Sequence, residues 1–281
     1  MSESKSFRAA GVIGWPVMHS RSPKLHGWWL EKYRIPGAYV PMAVQPGRLE
    51  AALRGLSALG FAGCNVTIPH KEEAARLVDR TDALGKRVGA VNLIVVQPDG
   101  SLSGSNTDGY GFIQSLRHDR PEWRGDAGPA VVLGAGGGAR SVVLSLLDEG
   151  APEIRLANRA RDRAEHLAAE FGGPVRVVNW AERESALAGA ALLVNTTSLG
   201  TAGEPALELR LDALPRGALV CDLVYNPLES PLLAAARQRG NLTESGLTML
   251  LYQARPSFEA WFGILPEITS EQRAAVEATI R

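Results

Sequence analysis

One stretch constrains the chain more than any other: Ala130-Val-Val-Leu-Gly134-Ala135-Gly136-Gly137-Gly138-Ala139-Arg140. A strand-like apolar run enters a glycine turn of the form G-x-G-x-x-A. Behind it, Val142, Val143, Leu146 and Leu147 recur at helical spacing. Strand, glycine turn and helix in that order form the opening unit of a parallel sheet that binds a dinucleotide. Gly134 permits the tight turn, Gly136 lets main chain approach a pyrophosphate, and Ala139 keeps the helix close to the sheet. The helix N-terminus then offers unpaired N–H groups to phosphate. Glycines alone also serve ordinary turns; the flanking strand and amphipathic helix give these their meaning.

The next strand, Glu153 to Ala157, discriminates between dinucleotides. A NAD site usually ends this strand with Asp or Glu, which holds the ribose 2′-OH. Here it runs into Asn158-Arg159, and its acid, Glu153, stands at the other end. A guanidinium there suits a 2′-phosphate, and Arg163 adds charge one helical turn on. The expected cofactor is NADP(H); the plain alternative for Arg159 is a solvated helix start.

The same alternation continues through a helix at 162–171 and strands at 175–178, 191–195 and 218–223, which predicts parallel βαβ units. Before it, strands are expected at 9–13, 39–44 and 61–66. Helices are expected at 23–33 and from Arg48 to Gly60, the latter on Leu49, Leu53, Leu56 and Leu59. A hairpin is expected around Pro98-Asp99-Gly100. A linking helix spans 108–117, and 246–263 returns to helical spacing, kinked or weakened at Pro256. A short helix at 270–279 closes the chain. A length of 281 residues fits about two domains. The expectation is an α/β protein with two domains. Residues 1–105 plus 246–281 form an α/β substrate-binding and catalytic domain, and 106–245 an inserted Rossmann-type dinucleotide domain.

Charge narrows the partners. Thirty Lys+Arg balance thirty Asp+Glu, so no basic field points to nucleic acid or a membrane surface. Monomer and homodimer both stay open. Cys64 and Cys221, the two cysteines, sit among apolar residues and read as small buried side chains. No Cys/His cluster has metal spacing, so no metal is expected. No apolar run approaches the ~18 residues of a spanning helix, and Met1 to Arg8 lacks an apolar segment. The expected compartment is the cytoplasm.

Three segments of the first domain carry chemistry. Ser20 and Ser22 precede a helix with Pro23 in its first turn; hydroxyls with helix N–H groups make a neutral carboxylate cradle. Simple capping by Ser22 explains one serine but not both. In Asn65-Val-Thr67-Ile-Pro69-His70-Lys71, a lysine held by a proline-containing loop is a candidate for proton transfer. The rival readings are a surface lysine, or His70, which points elsewhere if Lys71 lines a site. Asp108, in Asn106-Thr107-Asp108-Gly109, orients such a lysine or simply caps a helix.

These segments resemble the shikimate dehydrogenase family. So, in order along nearly the whole chain, do Gly89-Ala-Val-Asn92, the Gly134–Ala139 turn, Asn158-Arg159, Asn195-Thr-Thr-Ser-Leu-Gly200, Asp222-Leu-Val-Tyr225-Asn226-Pro227 and Gly246-Leu-Thr-Met249-Leu-Leu-Tyr-Gln253-Ala254. The resemblance implies NADPH-dependent, reversible reduction of 3-dehydroshikimate to shikimate, a step in making aromatic amino-acid precursors. It implies a catalytic pair, Lys71 and Asp108. Ser20 and Ser22 would hold the substrate carboxylate, with Thr67, Asn92, Tyr225 and Gln253 on ring hydroxyls or carboxylate. Gly134, Ala135, Gly136, Gly137, Gly138 and Ala139 would bind the pyrophosphate, and Asn158, Arg159 and Arg163 would flank the adenosine phosphate. Thr196, Thr197, Ser198, Leu199, Leu223, Gly246 and Met249 would lie near the nicotinamide. Three departures stand out: Gly27 after His26 where the family often has Asn, Leu93 after Asn92 where it often has Thr, and Ala160 after Arg159 where it often has Thr. The first two bear on substrate range and the third on the 2′-phosphate preference. A quinate or quinate/shikimate dehydrogenase shares most of these motifs. A non-catalytic NADP-binding regulator would keep the turn but lose the Lys71–Asp108 pair. A methylene-tetrahydrofolate dehydrogenase of similar two-domain form lacks the serine cradle.

Overall fold

The computed structural model describes residues 6–280. The chain forms two compact units, one ending at Asp108 and resuming over Leu251–Thr279, the other Gly109–Leu250. Both crossings fall within helices, a few residues beyond the expected divisions at 105/106 and 245/246, because the linking helices run through them.

The first unit contains β1 (Arg8–Gly14), α1 (Ser22–Lys32), β2 (Gly37–Ala43), α2 (Leu49–Ala58), β3 (Phe61–Val66), α3 (Lys71–Leu77), β4 (Arg80–Thr81), α4 (Ala83–Val88), β5 (Leu93–Val96) and β6 (Leu102–Ser105). Its sheet runs β2-β1-β3-β5-β6-β4. β2, β1 and β3 are parallel, and β5 turns back antiparallel to β3 with Asn65 opposite Leu93. The segments leaving β1 and β3 and the residues entering β5 therefore share one edge of the sheet. Leu49, Leu53 and Leu56 of α2 are buried against it, each worth roughly 1.5–3 kcal/mol of transfer free energy. Leu59, expected on the same stripe, is 72% exposed because α2 has ended by then.

The second unit follows: α5 (Asp108–Asp119), β7 (Ala130–Leu133), α6 (Gly137–Asp148), β8 (Ile154–Ala157), α7 (Arg161–Phe171), β9 (Val175–Val178), β10 (Leu192–Asn195), β11 (Leu219–Asp222), α8 (Pro231–Gln238) and β12 (Leu242–Ser245). Its sheet is wholly parallel in the order β12-β11-β10-β7-β8-β9. Every residue of β7, β10 and β11 is buried. Alternate side chains enter two different cores: Val132 and Val194 on one face, Val131, Leu133 and Leu193 on the other. Strand order reverses between β7 and β10, the switch point at which doubly wound sheets bind ligands.

The chain returns through α9 (Gly246–Phe262) to α10 (Ser270–Glu277). Pro256 lies inside α9 without ending it. An interior proline costs about 3 kcal/mol, which burial of Phe258, Trp261 and Phe262 just beyond it offsets. The short elements α3, β4, α4, α8 and β12 were not legible from periodicity. Two carry cap signals nonetheless: Asp82 accepts from the Gly85 N–H, and Ser230 from the Leu233 N–H ahead of Pro231.

Candidate active site

In the first unit, Lys71 opens α3 and Asp108 opens α5. Their side chains are only 14% and 6% exposed, with Lys71 Nζ 2.5 Å from Asp108 Oδ2. So dry an ion pair needs its remaining atoms satisfied. Asn92 Nδ2 donates to Asp108 Oδ1 at 2.8 Å, and the Asp108 N–H donates to Asn106 Oδ1 at 3.0 Å. Asn106 in turn donates to the Ala90 carbonyl at 2.9 Å. Asn92 Nδ2 also lies 3.0 Å from Thr107 Oγ1 and 3.3 Å from Gln253 Oε1, and Asn92 Oδ1 accepts the Thr107 N–H at 2.8 Å. The Val91 N–H donates to the Lys71 carbonyl at 2.9 Å, tying α3 to the approach to β5. Asp108 takes one of the three ammonium hydrogens, so the pair combines a held cation with donor capacity for a ligand oxygen.

The loops after β1 and β3 adjoin this network. The Thr67 N–H donates to the Ile13 carbonyl at 2.8 Å and the Trp15 N–H to the Ile68 carbonyl at 3.0 Å. Ser20 lies in the first loop, half-buried, and Ser22 is the buried first residue of α1. His70 is buried with Nε2 2.7 Å from the Val44 carbonyl, so it serves the scaffold while Lys71 joins Asp108.

In the second unit, Leu133 of β7 is paired with Ala157 of β8 and Asn195 of β10, so three segments leave one edge together. They are Gly134–Gly136, Asn158–Ala160 and Thr196–Gly200. Gly134 has φ +112°, and a Cβ there would lie 2.5 Å from Thr196 Oγ1, so both backbone and space demand glycine. Gly136 caps α6, and a Cβ on it would meet nothing within 4 Å: open space lies beside the helix N-terminus. Ala139 is fully buried, as close helix–sheet packing requires. Arg159 and Arg163 are exposed at the start of α7. Beneath this edge, Asn195 Nδ2 donates to Asp222 Oδ1 at 2.9 Å, and Ser230 Oγ to Asp222 Oδ2 at 2.5 Å. Burial pushes the Asp222 carboxyl up to about 6, and the bonds from Ser230, the Val224 N–H and Asn195 hold it from rising further.

Residues 12–94 match the family model described as shikimate dehydrogenase substrate binding domain, and 125–203 match shikimate / quinate 5-dehydrogenase. A shikimate dehydrogenase (NADP(+)) of Paramagnetospirillum magneticum is 58% identical over 96% of this chain and 98% of its own length. The chain belongs to the shikimate dehydrogenase family. Among solved structures, the Thermus thermophilus shikimate 5-dehydrogenase in complex with NADP(H) and shikimate superimposes with a TM-score of 0.85 at 35% identity, covering 97% of this chain and 100% of that one. The quinate dehydrogenase of Corynebacterium glutamicum in complex with NAD gives 0.88 at 28% identity, with 97% and 100% covered.

With the chain placed among the shikimate dehydrogenases, the expected residues sort by location. Lys71, Asp108, Asn92 and Gln253 share one network. Thr67 and Ser20 lie on neighbouring loops, while Tyr225 belongs to the second unit, half-buried after β11. One capping expectation needs correction. Ser22 is not the cap of α1: Arg21 holds that position, and Ser20 Oγ accepts the Ser22 N–H at 3.3 Å. Asp108 is the first residue of α5, and its carboxylate accepts from Lys71 and Asn92. The Thr197 hydroxyl is engaged internally, donating to Asn195 Oδ1 at 2.7 Å and accepting the Leu199 N–H at 3.2 Å. The Asn158 amide closes its own turn on the Ala160 carbonyl at 2.7 Å. Gly246 is required by packing, since a Cβ there would sit 2.1 Å from the Leu223 carbonyl. Met249 is built into the core of the second unit, whereas Ser198 is exposed and Leu199 half-buried. Motif reading passed over Asn106 and Thr107 as contributors; the polar Asn-Thr-Asp run was the available signal.

Proposed function

We propose that the chain catalyses the NADP(H)-dependent, reversible reduction of 3-dehydroshikimate to shikimate, with Lys71 and Asp108 as the catalytic pair. The observation that carries this reading is the dry Lys71–Asp108 contact of 2.5 Å, braced by Asn92 and Thr107. The first unit serves as the substrate domain and the second as the dinucleotide domain.

The second unit fits a dinucleotide on its own geometry: a glycine with positive φ at the turn, open space at the α6 N-terminus, and exposed arginines after β8. Gly134–Ala139 would hold the pyrophosphate, Asn158, Arg159 and Arg163 the adenosine phosphate, and Thr196–Leu199, Leu223, Gly246 and Met249 the nicotinamide end. When bound, NADP(H) supplies hydride exchange at the substrate carbonyl carbon. Lys71 stabilises the oxyanion that forms and returns a proton from Nζ. Asp108 holds the ammonium in place and Asn92 holds Asp108. Within the first unit, Ser20 and Ser22 receive the substrate carboxylate, and Thr67, Asn92 and Gln253 serve its ring hydroxyls or carboxylate. No helix among the described residues is long and apolar enough to cross a membrane; the cytoplasm is the proposed compartment.

The test crosses shikimate and quinate with NADP⁺ and NAD⁺, following absorbance at the nicotinamide band. Shikimate with NADP⁺ is the expected best pair. A preference for quinate with NAD⁺ reassigns the specificity, and no turnover despite tight NADPH binding overturns the catalytic reading.

A further inference from the structure

Asn65 shares its motif with Lys71, yet both polar atoms of its side chain already have partners within the protein. Tyr39 Oη donates to Asn65 Oδ1 at 2.7 Å, while Asn65 Nδ2 donates to the Asn92 carbonyl and to Ser257 Oγ, both at 2.9 Å. Both amide hydrogens and the oxygen are thus engaged, and Asn65 is buried. The Asn92 carbonyl also accepts the Val66 N–H at 2.9 Å, so two donors clamp one oxygen at the entrance to β5. The side chain beyond that carbonyl is the one that donates to Asp108.

Tyr39 is itself immobilised. The His26 ring stacks on it at 4.0 Å between centroids with 3° between planes, and Trp261 packs at 5.9 Å. Both His26 ring nitrogens lack hydrogen-bond partners among the described residues, and burial lowers its pKa to about 3, so a neutral ring lies against the tyrosine. A buried imidazole without partners is costly, a cost that makes sense where it holds another side chain in place.

We infer that Tyr39 and Asn65 are positioning residues for the proposed reaction, acting through Asn92 on Asp108 and so on Lys71. Substrate touches neither of them. The inference rests on the functional reading above. Tyr39→Phe removes one hydroxyl and keeps the ring stack. It is expected to lower kcat by about tenfold, since small displacements of a catalytic group are amplified in rate. KM for NADP⁺ stays close to wild type, and the melting temperature falls by about a few degrees because the buried Asn65 Oδ1 loses its donor. The deciding measurement is a double-mutant cycle with Asn92→Ala, its residual rate read in long time courses. Once Asn92 is gone, Tyr39→Phe has nothing to act through and causes no further loss. An equal loss in both backgrounds, or a wild-type kcat for Tyr39→Phe, overturns the inference. If Tyr39→Phe does not fold, Ser257→Ala removes another bond to the same carboxamide and is read against Asn92→Ala in the same way. A wild-type protein inactive toward shikimate and NADP⁺ defeats the functional reading; an active one with a normal Tyr39→Phe variant defeats this inference alone.

Discussion

Lys71→Met removes the ammonium and keeps an apolar stem of similar length, so activity and stability respond for different reasons. Loss of a positioned acid–base group costs about 10²–10⁴-fold in kcat, or roughly 3–5 kcal/mol of barrier. KM for shikimate is expected to change little, because Ser20, Ser22, Asn92 and Gln253 remain. Stability falls as well. Removing one partner of a buried pair costs ~3–5 kcal/mol by leaving the other charge uncompensated. Asp108 is only 6% exposed; it still accepts from Asn92, which places the loss at the lower end. Adding Asp108→Asn removes that stranded charge, so the double variant recovers much of the stability and none of the rate. Thermal unfolding and steady-state absorbance assays on wild type, Lys71→Met, Asp108→Asn and the double variant read the two effects separately. A Lys71→Met enzyme with kcat near wild type and only a raised KM makes Lys71 a binding group and refutes the mechanism. A double variant no more stable than Lys71→Met refutes the electrostatic account.

Arg159→Ala raises KM for NADPH by about 10–100-fold, the worth of one or two hydrogen bonds to a charged group, and leaves NADH kinetics unchanged; an unaltered NADPH/NADH preference sinks the 2′-phosphate role. Gly134→Ala places a Cβ 2.5 Å from Thr196 Oγ1 at φ +112°, so it lowers the melting temperature and weakens dinucleotide binding by titration; wild-type behaviour in both contradicts the tight-turn argument. Burial, followed by the hydrogen bond to Asp119 and its charge, raises Glu244 from 4.5 to about 8. Between those values the folded state keeps a proton that the unfolded chain has released, so stability declines as pH rises through that window. Asp222, raised from 3.8 to about 6, acts in the same direction over its own window. Below pH 6.5 the lowered pKa of His26 opposes this trend. Across pH 6.5–8 melting temperatures are expected to fall, and Glu244→Gln to flatten the slope; an unchanged slope contradicts the burial argument.

The second unit was largely legible because its signals are local. β7, β9 and the start of α6 lie where the apolar runs and the glycine turn predict, and the turn's backbone demand, φ +112° at Gly134, is local. The first unit was harder. α3 and α4 are short, with one and two buried residues respectively, too few for periodicity to mark. At the candidate site, motifs singled out Lys71, Asp108, Asn92 and Gln253 one by one; only their resemblance to a family joined them.

Sequence by itself determined which groups are available: an ammonium, a carboxylate, two serines, and a glycine turn. Their use was decided by tertiary structure. Residues 37 positions apart meet as Lys71 and Asp108, and Gln253 reaches Asn92 across 161 positions. Thr197 and Asn158, equally polar in the motifs, close their own loops with side-chain hydrogen bonds. The physical reason is that a polar side chain shut away from water must find a partner. Which partner lies within reach depends on sheet order and helix packing, information spread over the whole fold.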